Sequence, residues 1–211
     1  MAKYKYTYNR IFFQKIDTEE KAYWLGFIAA DGSIKRETYE IYIEIKNSDK
    51  RHLQKFLNSL ESNGNVKDTK QGKAARVTVC CKHMGLQLNY LGLTPDKTKK
   101  FNFKWECIPD NLMRHFIRGY FDGDGGIGKT NRSSGYNNWW ASISGEDTFL
   151  NELKEKAGFK MSIRNRGGWS ELNVSLKDLR DFLDYMYKDA QIYLDRKYDL
   201  YKKFIDEVES N

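Results

Sequence analysis

Two hydrophobic spacings alternate along this chain, and their order repeats. In Glu40–Lys46, Ile41, Ile43 and Ile45 point one way while Tyr42, Glu44 and Lys46 point the other, the period of a half-buried strand. The same alternation returns in 139–144, in 76–82 (Val77, Val79 and Cys81 against Arg76, Thr78, Cys80 and Lys82) and in 171–177 (Leu172, Val174 and Leu176 against Glu171, Asn173, Ser175 and Lys177). Between these strands lie helix-like stretches. Asp17-Thr18-Glu19-Glu20 offers a cap and early acids, Pro109-Asp110 opens the corresponding stretch downstream, and Asp49 and Asp147 each precede a shorter one. Turn signals fall at Gln71-Gly72 and Gly167-Gly168. The tail from Tyr193 to Val208 has Leu194, Tyr198, Tyr201, Ile205 and Val208 on one helical face.

The repeat has a clear frame. Residues 24–34 and 117–127 share Gly-aromatic-apolar-x-small-Asp-Gly-x-Ile, with Asp31 and Asp124 93 residues apart. Lys82 and Lys177, which end the fourth strand of each set, are 95 apart. A single duplication of this size predicts an α+β protein: duplicated α-β-β-α-β-β-α units with pseudo-two-fold symmetry. The expected divisions are an N-terminal extension (1–17), a first half (18–93), a linker (94–108) and a second half (109–211).

Composition narrows the partner. With 40% apolar and 15% aromatic residues in 211, the chain can bury a core. Lys and Arg outnumber Asp and Glu by 36 to 29, which favours an anionic partner such as nucleic acid or an acidic membrane surface. The residues Met1 to Arg10 lack the apolar core of a secretion signal, and the apolar run Ala22–Ala30 is too short to span a bilayer, so a cytoplasmic location without membrane contact is expected. Cys80, Cys81 and Cys107 are odd in number and lack C-x-x-C spacing, and His52, His83 and His115 match no metal-ligand spacing. These read as reduced cysteines and as core or surface histidines.

Three chemistries can be tried on the Asp-Gly segments. Gly123 to Thr130 fits G-x-x-x-x-G-K-[ST] formally, but a phosphate-binding loop needs a strand before it and a helix after, and here a helix precedes. A calcium loop starting at Asp122 puts Gly126, Ile127 and Ser133 where an oxygen ligand, Gly and Glu are needed. The third reading uses the duplication. Gly26 and Ala30, like Gly119 and Gly123, are spaced by four, so small residues on one face let two helices pack closely. Asp31 and Asp124 then emerge together at helix C-termini, where the dipole is negative and a cation is favoured. Adjacent carboxylates repel unless a metal or proton intervenes, and hard oxygen donors suit Mg²⁺.

These residues resemble the LAGLIDADG homing endonuclease family in its single-chain, two-motif form, the nine-residue motif falling on Trp24–Gly32 and Ile117–Gly125. The resemblance implies two antiparallel sheets forming a DNA-binding saddle and a Mg²⁺-dependent, site-specific double-strand DNA endonuclease, with Mn²⁺ as a substitute. It implies that Asp31 and Asp124 bind metal with the backbone carbonyls of Ala30 and Gly123. It places Lys82 and Lys177 near the scissile phosphates and Asn47 on active-site water, the second-half counterpart falling near Ser144-Gly145-Glu146. Ala29 departs from the motif, where Asp122 keeps the family's structural aspartate. The polar strand faces offer Tyr42, Glu44, Lys46, Arg76, Thr78, Asn138, Ser142, Arg164, Arg166, Glu171, Asn173 and Ser175 to bases and phosphates of a long, pseudo-palindromic or asymmetric target. Lys3, Tyr4, Lys5, Tyr6, Tyr8 and Arg10 form either an arm on DNA or a simple extension. A monomer is expected because both motifs are present. A free-standing intron- or phage-type protein is expected because no intein splice residues flank it. The alternative is a non-catalytic DNA- or RNA-binding regulator or maturase on the same scaffold.

Overall fold

The computed structural model describes residues 6–95, 102–130 and 138–210, and the duplication is plain in its element order. Helix α1 (Glu19–Asp31) leads into strands β1 (Gly32–Ile34) and β2 (Ile41–Lys46), helix α2 (Lys50–Ser59), strands β3 (Lys67–Thr69) and β4 (Ala74–Val79), and helix α3 (Lys82–Tyr90). The second set is α4 (Met113–Asp124), β5 (Gly125–Lys129), β6 (Trp139–Gly145), α5 (Asp147–Ala157), β7 (Met161–Asn165), β8 (Ser170–Val174) and α6 (Leu179–Tyr187), followed by α7 (Asp195–Glu209). Each set forms a four-stranded antiparallel sheet, in the orders β1-β2-β4-β3 and β5-β6-β8-β7. The registers match as well: Gly32 lies opposite Ile43 as Gly125 lies opposite Ile143.

The sheets are joined through their leading helices. Thr18 caps α1, its hydroxyl accepting from the Lys21 amide at 3.3 Å, and Glu19 and Glu20 complement the dipole. From Ala22 to Ala29 every residue of α1 is buried, as befits a helix covered on all sides. Its main partner is α4. A Cβ on Gly26 would overlap the Phe116 carbonyl, and one on Gly119 would overlap the Tyr23 carbonyl. Ala30 meets Gly123 one turn further on. The small residues at four-residue spacing thus let backbone touch backbone. One face of each sheet buries Ile41, Ile43, Val77 and Val79, or Ala141, Ile143 and Leu172, in a continuous core.

Some boundaries differ from the alternation. The strand expected over 76–82 ends at Val79, because the Cys81 carbonyl takes the Gly85 amide and Lys82 already begins α3. The strand expected over 171–177 ends at Val174. Ser175 turns the chain there, its hydroxyl accepting from the Lys177 amide and its carbonyl from that of Asp178, so Leu176 is exposed rather than facing the core. Phe103 and Trp105, in the expected linker, are buried against Phe116 and Phe149. Within the N-terminal extension Phe12, Phe13 and Ile16 are buried, while Lys3, Tyr4 and Lys5 lie outside the described residues. The tail helix forms, but Lys197 and Phe204 are buried and Val208 is exposed. Among the described residues no helix is long and apolar enough to cross a membrane.

Candidate metal and nucleic-acid site

Asp31 is the last residue of α1 and Asp124 the last of α4, so both carboxylates leave the ends of the two helices packed through glycine. Their closeness follows from that packing: a Cβ built on Gly123 would stand 3.4 Å from Asp31 Oδ2. Among the described residues no group of three or more His, Cys, Asp and Glu could hold a metal. The two carboxylates at the adjoining helix ends are hard oxygen donors, the type that divalent ions such as Mg²⁺ or Ca²⁺ take.

A buried lysine underlies the pair. Lys197 is 1% exposed, and its Nζ donates to the carbonyls of Phe121 at 2.5 Å, Asp122 at 2.8 Å and Gly125 at 2.6 Å, closing the C-terminal end of α4. Burial pulls its pKa down to about 8, against the opposing pull of Asp122, Asp31 and Asp124. Asp122 is likewise buried. It accepts from Tyr23 Oη at 2.7 Å, Tyr187 Oη at 2.5 Å and the Leu194 amide at 2.7 Å, the structural part assigned to it from sequence. Burial still raises its pKa, more than Lys197 and the tyrosine donors lower it.

A cleft flanks each carboxylate. The one beside Asp31, about 400 Å³, is lined by Glu44, Lys46, Lys70, Lys73 and Arg196 among others. The one beside Asp124, about 310 Å³, is lined by Tyr120, Ser144, Gly145, Glu146 and Trp169 among others. The Ser144-Gly145-Glu146 segment thus lines the same cleft as Asp124. Glu146 also caps α5, accepting from the Phe149 amide at 3.0 Å. Asn47 stands elsewhere: its Nδ2 donates to the Gly72 carbonyl at 2.8 Å, and it lines a separate recess with Ser48 and Lys50. Lys82 and Lys177 line neither cleft. The clefts draw on the starting ends of β4 and β8, at Lys73-Ala74 and Gly168-Trp169, whereas those two lysines follow the finishing ends. Lys70, Lys73 and Arg196 carry no signal in the sequence pattern, because they sit in a hairpin and at a helix start, outside any alternating run.

The polar sheet faces lie next to these clefts. Glu44 gathers Lys70 Nζ at 2.5 Å, Arg76 Nη2 at 2.7 Å and Thr69 Oγ1 at 3.0 Å, and the Lys70 ammonium above all holds its carboxyl down at about 2. The Arg76 guanidinium also stands 5.9 Å from the Tyr42 ring centre. In the second sheet Arg166 pairs with Glu171 at 2.5 Å and lowers its pKa. Lys46, Thr78, Asn138 and Arg164 are exposed, and Asn173 and Ser175 half-buried. Ser142 is buried, its hydroxyl spent on Glu171, and so is poorly placed for a base edge. The P-loop lookalike runs from helix into strand, and Lys129 Nζ is tied to Glu207 at 2.6 Å, which removes the nucleotide-cradle reading. His52 and His115 are core groups, burial pushing them to about 3 and about 4, and His83 is exposed.

Comparison with known proteins bears on this geometry. Residues 111–187 match the model of the LAGLIDADG-like domain. Over 126 residues the chain is 31% identical to the replication factor C small subunit of Methanocaldococcus jannaschii, taking in 56% of this chain but spanning only 7% of that protein's length. The fold is similar to that of the LAGLIDADG homing endonuclease I-GzeII in complex with its DNA target, with a TM-score of 0.66, 13% identity and 90% of each chain covered. I-DmoI in complex with DNA and Ca is similar with a TM-score of 0.56 and 18% identity, covering 80% of this chain and 89% of that one. So is the N-terminal LAGLIDADG domain of DUF199/WhiA, at 0.52 and 18% identity, covering 85% of this chain and 92% of that one.

Proposed function

From a chain that carries a LAGLIDADG-like domain in its second half and the fold of the single-chain LAGLIDADG homing endonucleases throughout, we propose a site-specific, Mg²⁺-dependent double-strand DNA endonuclease that works as a monomer. The observation that carries this reading is the paired Asp31 and Asp124 at two helix ends held together through Gly26, Gly119 and Gly123. Asp31 and Asp124, with the carbonyls of Ala30 and Gly123, would hold the ions, and Mn²⁺ would substitute. Bound there, a divalent ion supplies positive charge to a phosphodiester and a more acidic water.

The chain's own groups do the rest. Lys46, Lys70, Lys73 and Arg196 draw a phosphate toward the Asp31 cleft, and their charges offset negative charge building on its oxygens. Lys70 and Arg196 are held ready by Glu44 and Asp49. On the other side Tyr120, its hydroxyl donating to the Ser144 carbonyl at 3.3 Å, walls the Asp124 cleft. The polar faces of the two sheets position the duplex, Tyr42, Thr78, Arg164 and Asn173 reaching base edges and Lys46 and Arg166 phosphates.

The likeness to the WhiA domain supports a second reading, a DNA-binding regulator that does not cut. One experiment separates the two: selection of cleaved duplexes from a randomised library with Mg²⁺, repeated with Asp31→Asn and Asp124→Asn. The nuclease reading expects a defined staggered cut that either variant loses while still binding DNA. Tight, specific binding by the unaltered protein with no cut would leave the regulator.

A further inference from the structure

The two sheets do not offer DNA the same surface, and the difference centres on Trp140. Along β6, Trp139, Ala141 and Ile143 face the helices: Ala141 and Ile143 are buried, and Trp139 packs on Phe204 of α7. Trp140 therefore faces the other way, with Ser142 and Ser144, and it is 40% exposed. Its indole lies across the glycines of β5. A Cβ on Gly128 would come within 2.9 Å of Trp140 Cζ2, and one on Gly126 within 3.0 Å of Cζ3. Because neither glycine has a side chain and Ile127 between them points into the core, the ring rests on bare backbone along this stretch of strand.

The matching position in the first sheet is quite different. Ser33 opposite Tyr42 corresponds to Gly126 opposite Ser142, so the next pair outward places Lys35 and Glu40 where Gly128 and Trp140 stand. Lys35 and Glu40 form an ion pair at 3.9 Å. One sheet thus presents charges, the other an apolar plate on bare backbone.

We infer that Trp140 reads the 5-methyl group of thymine in the half-site lying against the second sheet. This rests on the DNA-binding reading above but not on cleavage. Among the major-groove edges the thymine methyl is the largest apolar feature, so it is the one an indole face gains most from burying. The exposed arginine Arg164 and the half-buried Asn173, on the same sheet face, would reach neighbouring base edges around it. One methyl removed from water changes affinity roughly fourfold.

The test needs no cutting and is run without divalent metal. Bound duplexes are selected from a randomised library made with thymine, and again from one made with uracil, which lacks the methyl. The inference expects a thymine preference at one or two positions of one half-site, lost in the uracil library. Uracil at those positions of the selected duplex should weaken binding roughly fourfold per methyl. Trp140→Ala should abolish the thymine–uracil difference, Trp140→Phe should retain it, and the preferences of the other half-site should stay as they are. Equal binding of thymine and uracil duplexes by the unaltered protein would overturn the inference whatever the variants do, and so would a preference that survives Trp140→Ala. If no duplex is enriched at all, the DNA-binding reading falls and takes this inference with it.

Discussion

Substituting Gly119 with Ala tests whether the close helix crossing holds the carboxylates together. The added Cβ would overlap the Tyr23 carbonyl and stand 2.9 Å from the Phe27 amide nitrogen. Ordinary contact lies at 3.4–4 Å, so α1 and α4 must part by about an ångström or tilt. The obstacle is backbone, which cannot swing aside as a side chain does, so the cost falls at the upper part of the usual ~1–3 kcal/mol for overpacking. Ala is a better helix former than Gly by about 1 kcal/mol, which offsets part of it. The net expectation is a loss of roughly 2 kcal/mol, read as a lower urea midpoint at unchanged slope. Gly26→Ala, the symmetry mate against the Phe116 carbonyl, should behave alike. The double variant should cost less than the sum, because once the helices have parted for one methyl the second finds some room. Cleavage should fall further than DNA affinity, since Asp31 and Asp124 sit at the ends of the displaced helices. Single variants as stable as the parent, or strict additivity in the double, would refute the argument that backbone contact sets this crossing.

Four other outcomes follow from the same structure. Lys197 has a folded pKa of about 8 against the ordinary 10.5, so the unfolded chain holds a proton that the folded chain sheds. Stability should therefore rise by about 2 kcal/mol between pH 7.5 and 9.5 in urea titrations, and the rise should be absent in Lys197→Met. Asp122→Asn leaves Lys197 buried without its main counter-charge and should cost about 3 kcal/mol or more, measured by equilibrium unfolding. Lys73→Ala and Arg196→Ala should each reduce the slope of log affinity against log salt by about 1, uniformly across DNA sequences. Chelation with EDTA should stop cutting but leave both DNA binding and the unfolding midpoint in place, because Lys197 closes the end of α4 and backbone contact at Gly26 and Gly119 sets the α1–α4 crossing without metal.

How far the sequence carried depended on whether a residue's role repeats. Asp31 and Asp124, with their small-residue neighbours, stand out because two copies in one frame make each the control for the other, and the structure brings them together. The alternating runs located the strands and their buried faces. Their ends were less legible: at Ser175 a local side-chain turn competes with the strand, and at Cys81 a helix begins while the alternation still runs. Lys82 and Lys177 therefore follow the strand ends instead of lying within the strands, since period-two spacing persists for a few residues after hydrogen bonding has stopped. Lys197 was invisible for a different reason. A lysine on a tail helix reads as solvent-facing, and only the meeting of α7 with the end of α4 creates three carbonyls for it to satisfy. Arg196 and Lys73 come from distant segments and share a cleft through tertiary packing alone.

The contacts between the halves restrict how such a protein can be recombined. Arg118, in the second half, is fully buried and donates to Glu19 of the first at 2.6 Å, while Tyr23 of the first half donates to Asp122 of the second. A chimera joining either half to a foreign partner would keep the glycine crossing yet take Glu19 from the buried Arg118 guanidinium, a penalty of about 3–5 kcal/mol, or one of three hydrogen-bond donors from the Asp122 carboxylate, about 1–3 kcal/mol. Exchange of specificity by swapping halves is therefore open to this chain only if positions 19, 23, 118 and 122 travel as a matched set. The interior polar pairs act as a compatibility lock between two modules whose outer surfaces remain free to diverge.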